Sequence, residues 1–135
     1  ENSGCADSIL FTGQVSDAAL DGIYRRVAVF AMPSRGEGFG LVYLEAMQHS
    51  LPCIGSVDDA AAEVIEDNVT GCLVNQTDSI YLARSIAELL GNPTLRQKMG
   101  NAGYERLQRI FSFDQFRQRL LTALDPLVHN GAASL

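Results

Sequence analysis

Lysine, histidine and cysteine are scarce in this chain, and no long apolar segment is present. The 135 residues include one lysine, Lys98, and carry a formal net charge of −6. This composition argues against a nucleic-acid partner, because binding phosphates demands clustered Lys and Arg. No apolar run approaches the roughly 20 residues that a membrane-spanning helix needs. No signal-peptide pattern opens the chain.

The few cysteines and histidines argue against disulfides and metal sites. Cys5, Cys53 and Cys72 form no CxxC pair and leave one over in any disulfide scheme, which favours a reducing compartment. We therefore expect a cytoplasmic protein, with attachment of the full-length protein to the inner face of a membrane as an alternative. Neither His49 nor His129 has an acidic or thiol ligand nearby at metal spacing. We expect no metal site and no cofactor.

Short apolar runs alternate with helical patterns along the chain, as they do in a parallel sheet with crossover helices. With 47% hydrophobic and 19% charged residues, the composition is that of one globular domain. We predict strands at residues 9–12, 27–32, 52–56 and 72–74. We predict helices at residues 17–24, 40–50, 59–65, 79–90, 94–110 and 113–127. Ser16 and Ser112 are predicted helix caps, and the predicted core includes Tyr43, Tyr104 and Phe113.

One segment joins a glycine-rich loop to a helix and carries most of the chemical information. A short apolar run, which is predicted to be a buried strand, ends at Pro33. Gly36, Gly38 and Gly40 then surround Glu37. Because glycine lacks a Cβ, this loop can turn tightly and let a ligand approach backbone N–H groups. A strand, a glycine loop and a helix N-terminus together are typical of an anion site.

Glu45 lies in the apolar helix predicted for residues 40–50, so we expect it to be largely buried and to need a partner. If the whole span were helical, Glu37 and Glu45 would lie about 12 Å apart along the axis, but the glycines let Glu37 fold back. The two carboxylates are then expected to flank one cavity. A nucleotide sugar suits such a site, because it combines a diphosphate with neutral hydroxyl groups. The alternative is that Glu45 caps a backbone elsewhere and the glycines merely form a turn.

The same segment resembles the signature of the group 1 glycosyltransferases, which have the GT-B fold. The matching residues are Pro33, Ser34, Glu37, Gly38, Phe39, Gly40, Glu45, Ala46, Met47, Leu51 and Pro52. The two glutamates are separated by seven residues and match the family spacing without a gap. The resemblance begins at residues 11–13 and continues to residues 111–113, which is nearly the entire chain.

In that family, the domain with this signature binds the activated sugar donor. The resemblance implies that Glu37 holds the hydroxyl groups of the donor sugar, as the catalytic residue, and that Glu45 holds the ribose. The backbone of Phe39, Gly40 and Leu41 would lie near the diphosphate. The implied donor-binding residues are Glu37, Gly38, Phe39, Gly40, Leu41 and Glu45.

The resemblance also implies a Rossmann-like parallel sheet with flanking helices, in which about four strands of a GT-B carboxyl-terminal domain are present. We expect residues 1–127 to form a partial nucleotide-sugar-binding domain and residues 128–135 a flexible tail. The family's opening strand, the Arg and Lys that meet the donor diphosphate, and the acceptor-binding domain would precede Glu1. We therefore expect this chain to be inactive by itself. We also expect it to associate with itself through the sheet edge at residues 27–32 or through the apolar surface beside that edge.

The implied function is transfer of a sugar from a nucleoside diphosphate donor to an unknown acceptor, with the retention of configuration that is usual in this family. Two alternatives stay open, namely a nucleotide-sugar epimerase on the same fold and a non-catalytic domain that binds a nucleotide sugar or a protein partner. The presence of Glu37 and Glu45 favours transfer, since an interaction module needs neither. The chain departs from the family after the strand at residues 52–56, where Asp59 and Ala60 replace paired glycines.

Overall fold

The computed structural model describes residues 4–36 and 38–130, with the backbone alone for residues 127–130. Its strands and α-helices are, in chain order, α1 (Asp17–Tyr24), β1 (Phe30–Ala31), α2 (Leu41–Gln48), β2 (Cys53–Ser56), α3 (Ala61–Val64), β3 (Gly71–Val74), α4 (Ser79–Gly91), α5 (Pro93–Arg106) and α6 (Phe113–Asn130). A 3₁₀ turn, Ala6–Ser8, precedes α1, and a π-helical turn, Leu107–Phe111, continues α5.

The strands form a parallel sheet in the order β1-β2-β3. Phe30 of β1 lies opposite Cys53 of β2, and Ile54 lies opposite Cys72 of β3. Parallel neighbours need crossover connections, and here helices supply them. All four residues of β2 are buried, as is usual for a strand covered on both faces. The predicted α/β class with flanking helices is confirmed.

Successive residues of the central strand point to opposite faces of the sheet, and each face has its own core. Cys53 belongs to a core cluster with residues of α1, α2 and α3, whereas Ile54 packs in a second cluster with Leu89 of α4 and Met99 of α5. The first cluster consists of Tyr24, Tyr43, Ala46, Met47, Leu51, Cys53, Ala61, Val64 and Ile65. The helix that carries most of the predicted site therefore packs on the same face as α1 and α3.

Two predicted caps are confirmed. The Ser16 Oγ accepts a hydrogen bond from the Ala19 N–H at 3.3 Å at the start of α1. The Ser112 Oγ accepts one from the Gln115 N–H at 3.4 Å at the start of α6. Each side chain satisfies a backbone donor that has no acceptor within its own helix, which is why both helices begin where the sequence predicted.

The strand predicted at residues 9–12 does not form. The side chains of Leu10 and Phe11 are 86% and 90% exposed. A strand is stabilised by hydrogen bonds to a neighbour, and within residues 4–36 and 38–130 no strand pairs with this segment. The described sheet therefore has three strands rather than about four, with β1 at one edge. Self-association through that edge stays a prediction.

The predicted core assignments hold for one aromatic residue and are wrong for two. Tyr43 is fully buried, whereas Tyr104 is 42% and Phe113 is 76% exposed. The buried face of α5 includes Gly103, and the next residue of a helix points about 100° away from that face. Phe113 lies at the first turn of α6 and lines an apolar cleft of about 520 Å³ beside Phe39. Apolar character alone did not indicate which way these rings point.

Candidate functional site

The carboxyl ends of the three strands meet at one edge of the sheet, where ligands bind in folds of this type. Polar side chains link the loops at this edge. Ser34, which follows β1, donates a hydrogen bond from Oγ to Oδ2 of Asp59, which follows β2, at 3.0 Å. Ser56, at the end of β2, donates from Oγ to Oε1 of Gln76, which follows β3, at 2.7 Å. These bonds fix the three loops relative to one another.

Helix α2 begins after the loop that follows β1, and Gly40 is its N-cap. Gly40 has φ 65° and ψ 28°, a left-handed conformation that glycine adopts without strain. A Cβ at this position would lie 3.0 Å from Cδ2 of Tyr43 and 3.4 Å from Cγ2 of Val64. The backbone torsion and the close packing both call for glycine, and together they set the sharp entry into α2.

The first turn of α2 has backbone donors that are open to a ligand. The first N–H groups of a helix lack acceptors within that helix. In the described ranges, no group accepts a hydrogen bond from the N–H of Leu41 or Val42. Gly38 is exposed, and the preceding loop also holds Phe39, which is 84% exposed. Open N–H groups at the positive end of a helix favour a bound anion.

The predicted site residues fall into three groups. The structure brings Gly38, Phe39, Gly40 and Leu41 together at the start of α2. Glu45 lies one turn further along the same helix. Glu37 lies outside the described residues, so the expected meeting of two carboxylates in one cavity stays a prediction.

Glu45 is exposed, not buried as the apolar pattern predicted. The buried residues of α2 are Tyr43, Ala46 and Met47. Its exposed residues are Leu41, Glu45 and Gln48, a spacing of four and then three residues that places them on one helix face. Helix geometry therefore puts Glu45 on the outer face, where its carboxylate remains available to a ligand.

A cleft of about 220 Å³ lies between α1 and α2 and includes Glu45. Tyr24, at the end of α1, is 8% exposed and donates a hydrogen bond from its hydroxyl to Oε2 of Glu45 at 3.2 Å. The Tyr24 ring stacks on His49, with ring centroids 5.3 Å apart and planes inclined by 12°. The residues that line the cleft are Asp17, Leu20, Asp21, Tyr24, Glu45, Gln48 and His49.

Burial and nearby charges shift the pKa values of two side chains in this cleft, Tyr24 and Asp21. Burial raises the pKa of Tyr24 to about 12, and the adjacent Glu45 carboxylate contributes to the rise. The Tyr24 hydroxyl is therefore protonated and able to donate at neutral pH. A hydrogen bond from Arg25 holds the pKa of Asp21 below its ordinary value, and Asp21 Oδ1 lies 3.5 Å from Nε2 of His49.

Sequence reasoning did not identify Tyr24 or Arg106 as residues of this region. Tyr24 lies three residues after Asp21 on α1, and this spacing puts both on one helix face, but no local pattern connects either residue with Glu45. Arg106 donates from Nε to the carbonyl of Val64 at 2.9 Å and from Nη2 to that of Glu63 at 3.2 Å. It thereby fixes the end of α3, which packs against the start of α2.

Within the described ranges, no three His, Cys, Asp or Glu side chains cluster closely enough to hold a metal ion. The same ranges contain no helix of the length and apolar character required to cross a membrane.

Comparisons with known sequences connect this geometry to a family. A family model described as "Glycosyl transferases group 1" matches residues 1–106. The lipopolysaccharide core biosynthesis mannosyltransferase LpcC of Rhizobium leguminosarum bv. viciae is 35% identical over 113 residues, which cover 84% of this chain and 32% of the relative. The chain spans about a third or less of the length of the curated relatives it matches.

Comparisons with solved structures agree on the fold. Sucrose-phosphate synthase from Thermosynechococcus elongatus matches with a TM-score of 0.85 and 29% identity, over 94% of this chain and 32% of that protein. Anabaena HepE in complex with UDP-glucose matches with a TM-score of 0.68 and 26% identity, over 76% of this chain and 29% of that protein. The structural neighbours are GT-B glycosyltransferases. The family match, the sequence relatives and the shared fold together show that this chain belongs to the group 1 glycosyltransferases.

Proposed function

We propose that this chain binds the nucleoside diphosphate sugar donor of a glycosyltransferase that transfers the sugar, with retention of configuration, to an acceptor. The observation that carries the proposal is the arrangement along α2. Open N–H groups lie at its amino terminus, and Glu45 lies on the same exposed face as Leu41. At 1.5 Å per residue, Glu45 is about 6 Å further along the helix axis than Leu41. A diphosphate followed by a ribose fits this order of groups.

The chemistry of this arrangement is electrostatic. The N–H groups of Leu41 and Val42 stabilise the negative charge that grows on the diphosphate as it leaves. Glu45 accepts hydrogen bonds from the ribose hydroxyls, and Glu37 is assigned to the hydroxyls of the donor sugar. The C1–O bond to the diphosphate breaks and its electron pair leaves with the phosphate oxygen. The acceptor oxygen forms the new bond to C1, and the proton of its hydroxyl passes to the departing diphosphate.

The comparisons support a nucleotide-sugar donor in this role. HepE, which shares the fold and 26% of its residues in the matched region, was solved with UDP-glucose. The Rhizobium relative is a mannosyltransferase. Stabilising a departing diphosphate usually takes cations as well as N–H groups, and the residues assigned to this site include no Lys or Arg. We therefore expect chain 1–135 alone to bind a donor without transferring its sugar.

Replacing the Glu45 carboxylate by an amide tests the proposal. Glu45→Gln keeps the size of the side chain but turns a charge-assisted contact with the ribose into a neutral one. We expect the variant of the full-length protein to bind UDP or GDP about 1 kcal/mol or more weakly. Isothermal titration calorimetry measures this change directly, and thermal unfolding of the same variant checks that the fold is intact.

Glu88→Gln is the matched control, because Glu88 is an exposed glutamate on α4, on the opposite face of the sheet. This variant should bind both nucleotides as the wild type does. Equal affinity for the Glu45→Gln and wild-type proteins, with both folded, would contradict a role for Glu45 in donor binding.

A further inference from the structure

We propose that Tyr24 is a positioning residue that holds the Glu45 carboxylate in the orientation that receives the donor ribose. This inference rests on the proposed function. Tyr24 lies at the end of α1. Its hydroxyl donates a hydrogen bond to Oε2 of Glu45 on the neighbouring helix α2, at 3.2 Å. The contact joins residues 21 positions apart in the sequence.

The hydrogen bond leaves one carboxylate oxygen open. In the described part of the chain, the Tyr24 hydroxyl is the donor to Glu45, and it contacts Oε2. Oε1 of Glu45 has no hydrogen-bond partner within these residues. An exposed glutamate side chain is normally free to rotate, and fixing it costs conformational entropy. A bond to one oxygen restricts that rotation before the ligand arrives, so less of this entropy is lost on binding.

Tyr24 can impose an orientation because its own ring is held on two sides. The ring stacks on His49 at a centroid distance of 5.3 Å and contacts Phe30 at 6.0 Å. Tyr24 as a whole is 8% exposed. The imidazole of His49 lies 3.5 Å from Asp21, which is itself paired with Arg25 at 2.7 Å. A packed ring, unlike a surface side chain, keeps its hydroxyl at a fixed point.

The hydroxyl also keeps its proton across the working pH range. The pKa of Tyr24 is raised to about 12 by burial and by the Glu45 charge, so the group donates throughout neutral and mildly alkaline solution. The titratable groups that face the ring are Glu45 from α2, Asp21 from α1, His49 just after α2 and Cys53 from β2. Donation to Glu45 is therefore a constant feature of the cleft at neutral pH.

Tyr24→Phe separates positioning from packing, because it removes the hydroxyl and keeps the ring. The probes are UDP and GDP, each compared with its 2′,3′-dideoxy form, which lacks the ribose hydroxyls. In the wild type, the hydroxylated nucleotide should bind more tightly than the dideoxy form. In Tyr24→Phe, we expect the ratio of these two affinities, hydroxylated over dideoxy, to fall about three- to tenfold, which is the cost of immobilising one side chain on binding rather than beforehand. Affinity for the dideoxy form should stay the same.

The double variant Tyr24→Phe/Glu45→Gln asks whether Tyr24 acts through Glu45. If Tyr24 acts by positioning Glu45, the ratio of the two affinities should be no lower in the double variant than in Glu45→Gln alone, because both changes remove the same interaction. Tyr104→Phe is the control, since it removes a partly exposed hydroxyl from α5 and should leave the ratio unchanged.

The outcomes distinguish the inference from the proposal on which it rests. A normal ratio in Tyr24→Phe beside a reduced ratio in Glu45→Gln would overturn the positioning role and leave donor binding intact. A normal ratio in Glu45→Gln would overturn both. Thermal unfolding of each variant is measured alongside. If Tyr24→Phe is poorly folded, the inference is judged by the same ratio measured with Tyr24→Phe at a temperature well below its unfolding midpoint.

Discussion

Glycine occupies two contrasting regions of this molecule, the loop that leads into α2 and the middle of α5. In the loop, a Cβ added to Gly38 would meet nothing within 4 Å. In α5, a Cβ added to Gly100 would run into the backbone carbonyl of Ser50, just past the end of α2. The same residue type therefore leaves space open in one region and allows two backbones to touch in the other.

The contrast indicates what each region is for. Helices that approach closely through glycine are locked by close packing, and neither backbone can move aside cheaply. Gly103, one turn after Gly100, would place its Cβ 3.1 Å from Cγ of Met47, so this contact continues along α5. Gly38 in the loop has no such internal reason to be small, because its φ lies outside the left-handed region and a Cβ there would meet nothing within 4 Å. Open space beside the N–H groups of Leu41 and Val42, which have no acceptor among the described residues, leaves room for the proposed ligand.

Gly100→Ala should produce the largest effect, and it should be on stability. The new methyl group meets a backbone carbonyl, which cannot relieve the contact by changing rotamer. Overpacking of this kind costs roughly 1–3 kcal/mol or more, and the better helix propensity of alanine, about 1 kcal/mol, offsets only part of it. We expect a net loss on the order of 2 kcal/mol and a thermal midpoint roughly 10 °C lower.

Gly91→Ala is the matched control for this prediction. Gly91 is also a helical glycine, at the end of α4, but a Cβ there has nothing within 4 Å. Differential scanning fluorimetry or calorimetry should show little change in its midpoint. A Gly100→Ala protein as stable as the Gly91→Ala protein would remove the distinction between packing glycines and open ones.

Gly40→Ala should have an intermediate effect on stability, because Gly40 lies in the loop but is closely packed, as the glycines of α5 are. Its φ of 65° is a left-handed conformation, which costs other residues about 1–2 kcal/mol. Gly13 has nearly the same torsion, φ 61°, with nothing within 4 Å of an added Cβ. Thermal unfolding of Gly13→Ala thus reports the torsional strain alone. If Gly40→Ala loses more stability than Gly13→Ala, the difference measures the added contact with Tyr43. Equal losses of stability in the two variants would show that this contact does not matter.

Local features of the fold were predictable from sequence, because they depend on neighbouring residues. Helix α1 has the bounds that its cap and periodicity predicted, from Asp17 to Tyr24. The start of α2 after a glycine loop was likewise predicted. The prediction of a strand at residues 9–12 was wrong, because strand pairing depends on a neighbouring strand that a local apolar run cannot specify.

Long-range features of the site were not predictable, because they depend on how helices are set against one another. Glu45 was expected to be buried, and a count of apolar residues on α2 could not show that it shares the outer face with Leu41. The bond from Tyr24 to Glu45 depends on the relative placement of α1 and α2. The family signature suggested the proposed roles of the two glutamates, and the sequence offered no comparable signal for Tyr24.

Gly38→Ala should have the smallest effect on stability and the clearest effect on binding. Its backbone lies outside the left-handed region and its surroundings are open, so we expect the unfolding free energy to change by no more than about 0.5 kcal/mol. The added methyl group projects into the space that the proposed diphosphate needs, and the affinity for UDP or GDP should fall several-fold. Calorimetry of Gly38→Ala beside Gly91→Ala, which alters an open glycine distant from the loop, isolates that loss. Unchanged nucleotide affinity in Gly38→Ala would mean that the loop backbone does not approach the ligand. A large loss of stability would mean that the loop glycine, like Gly100, serves packing.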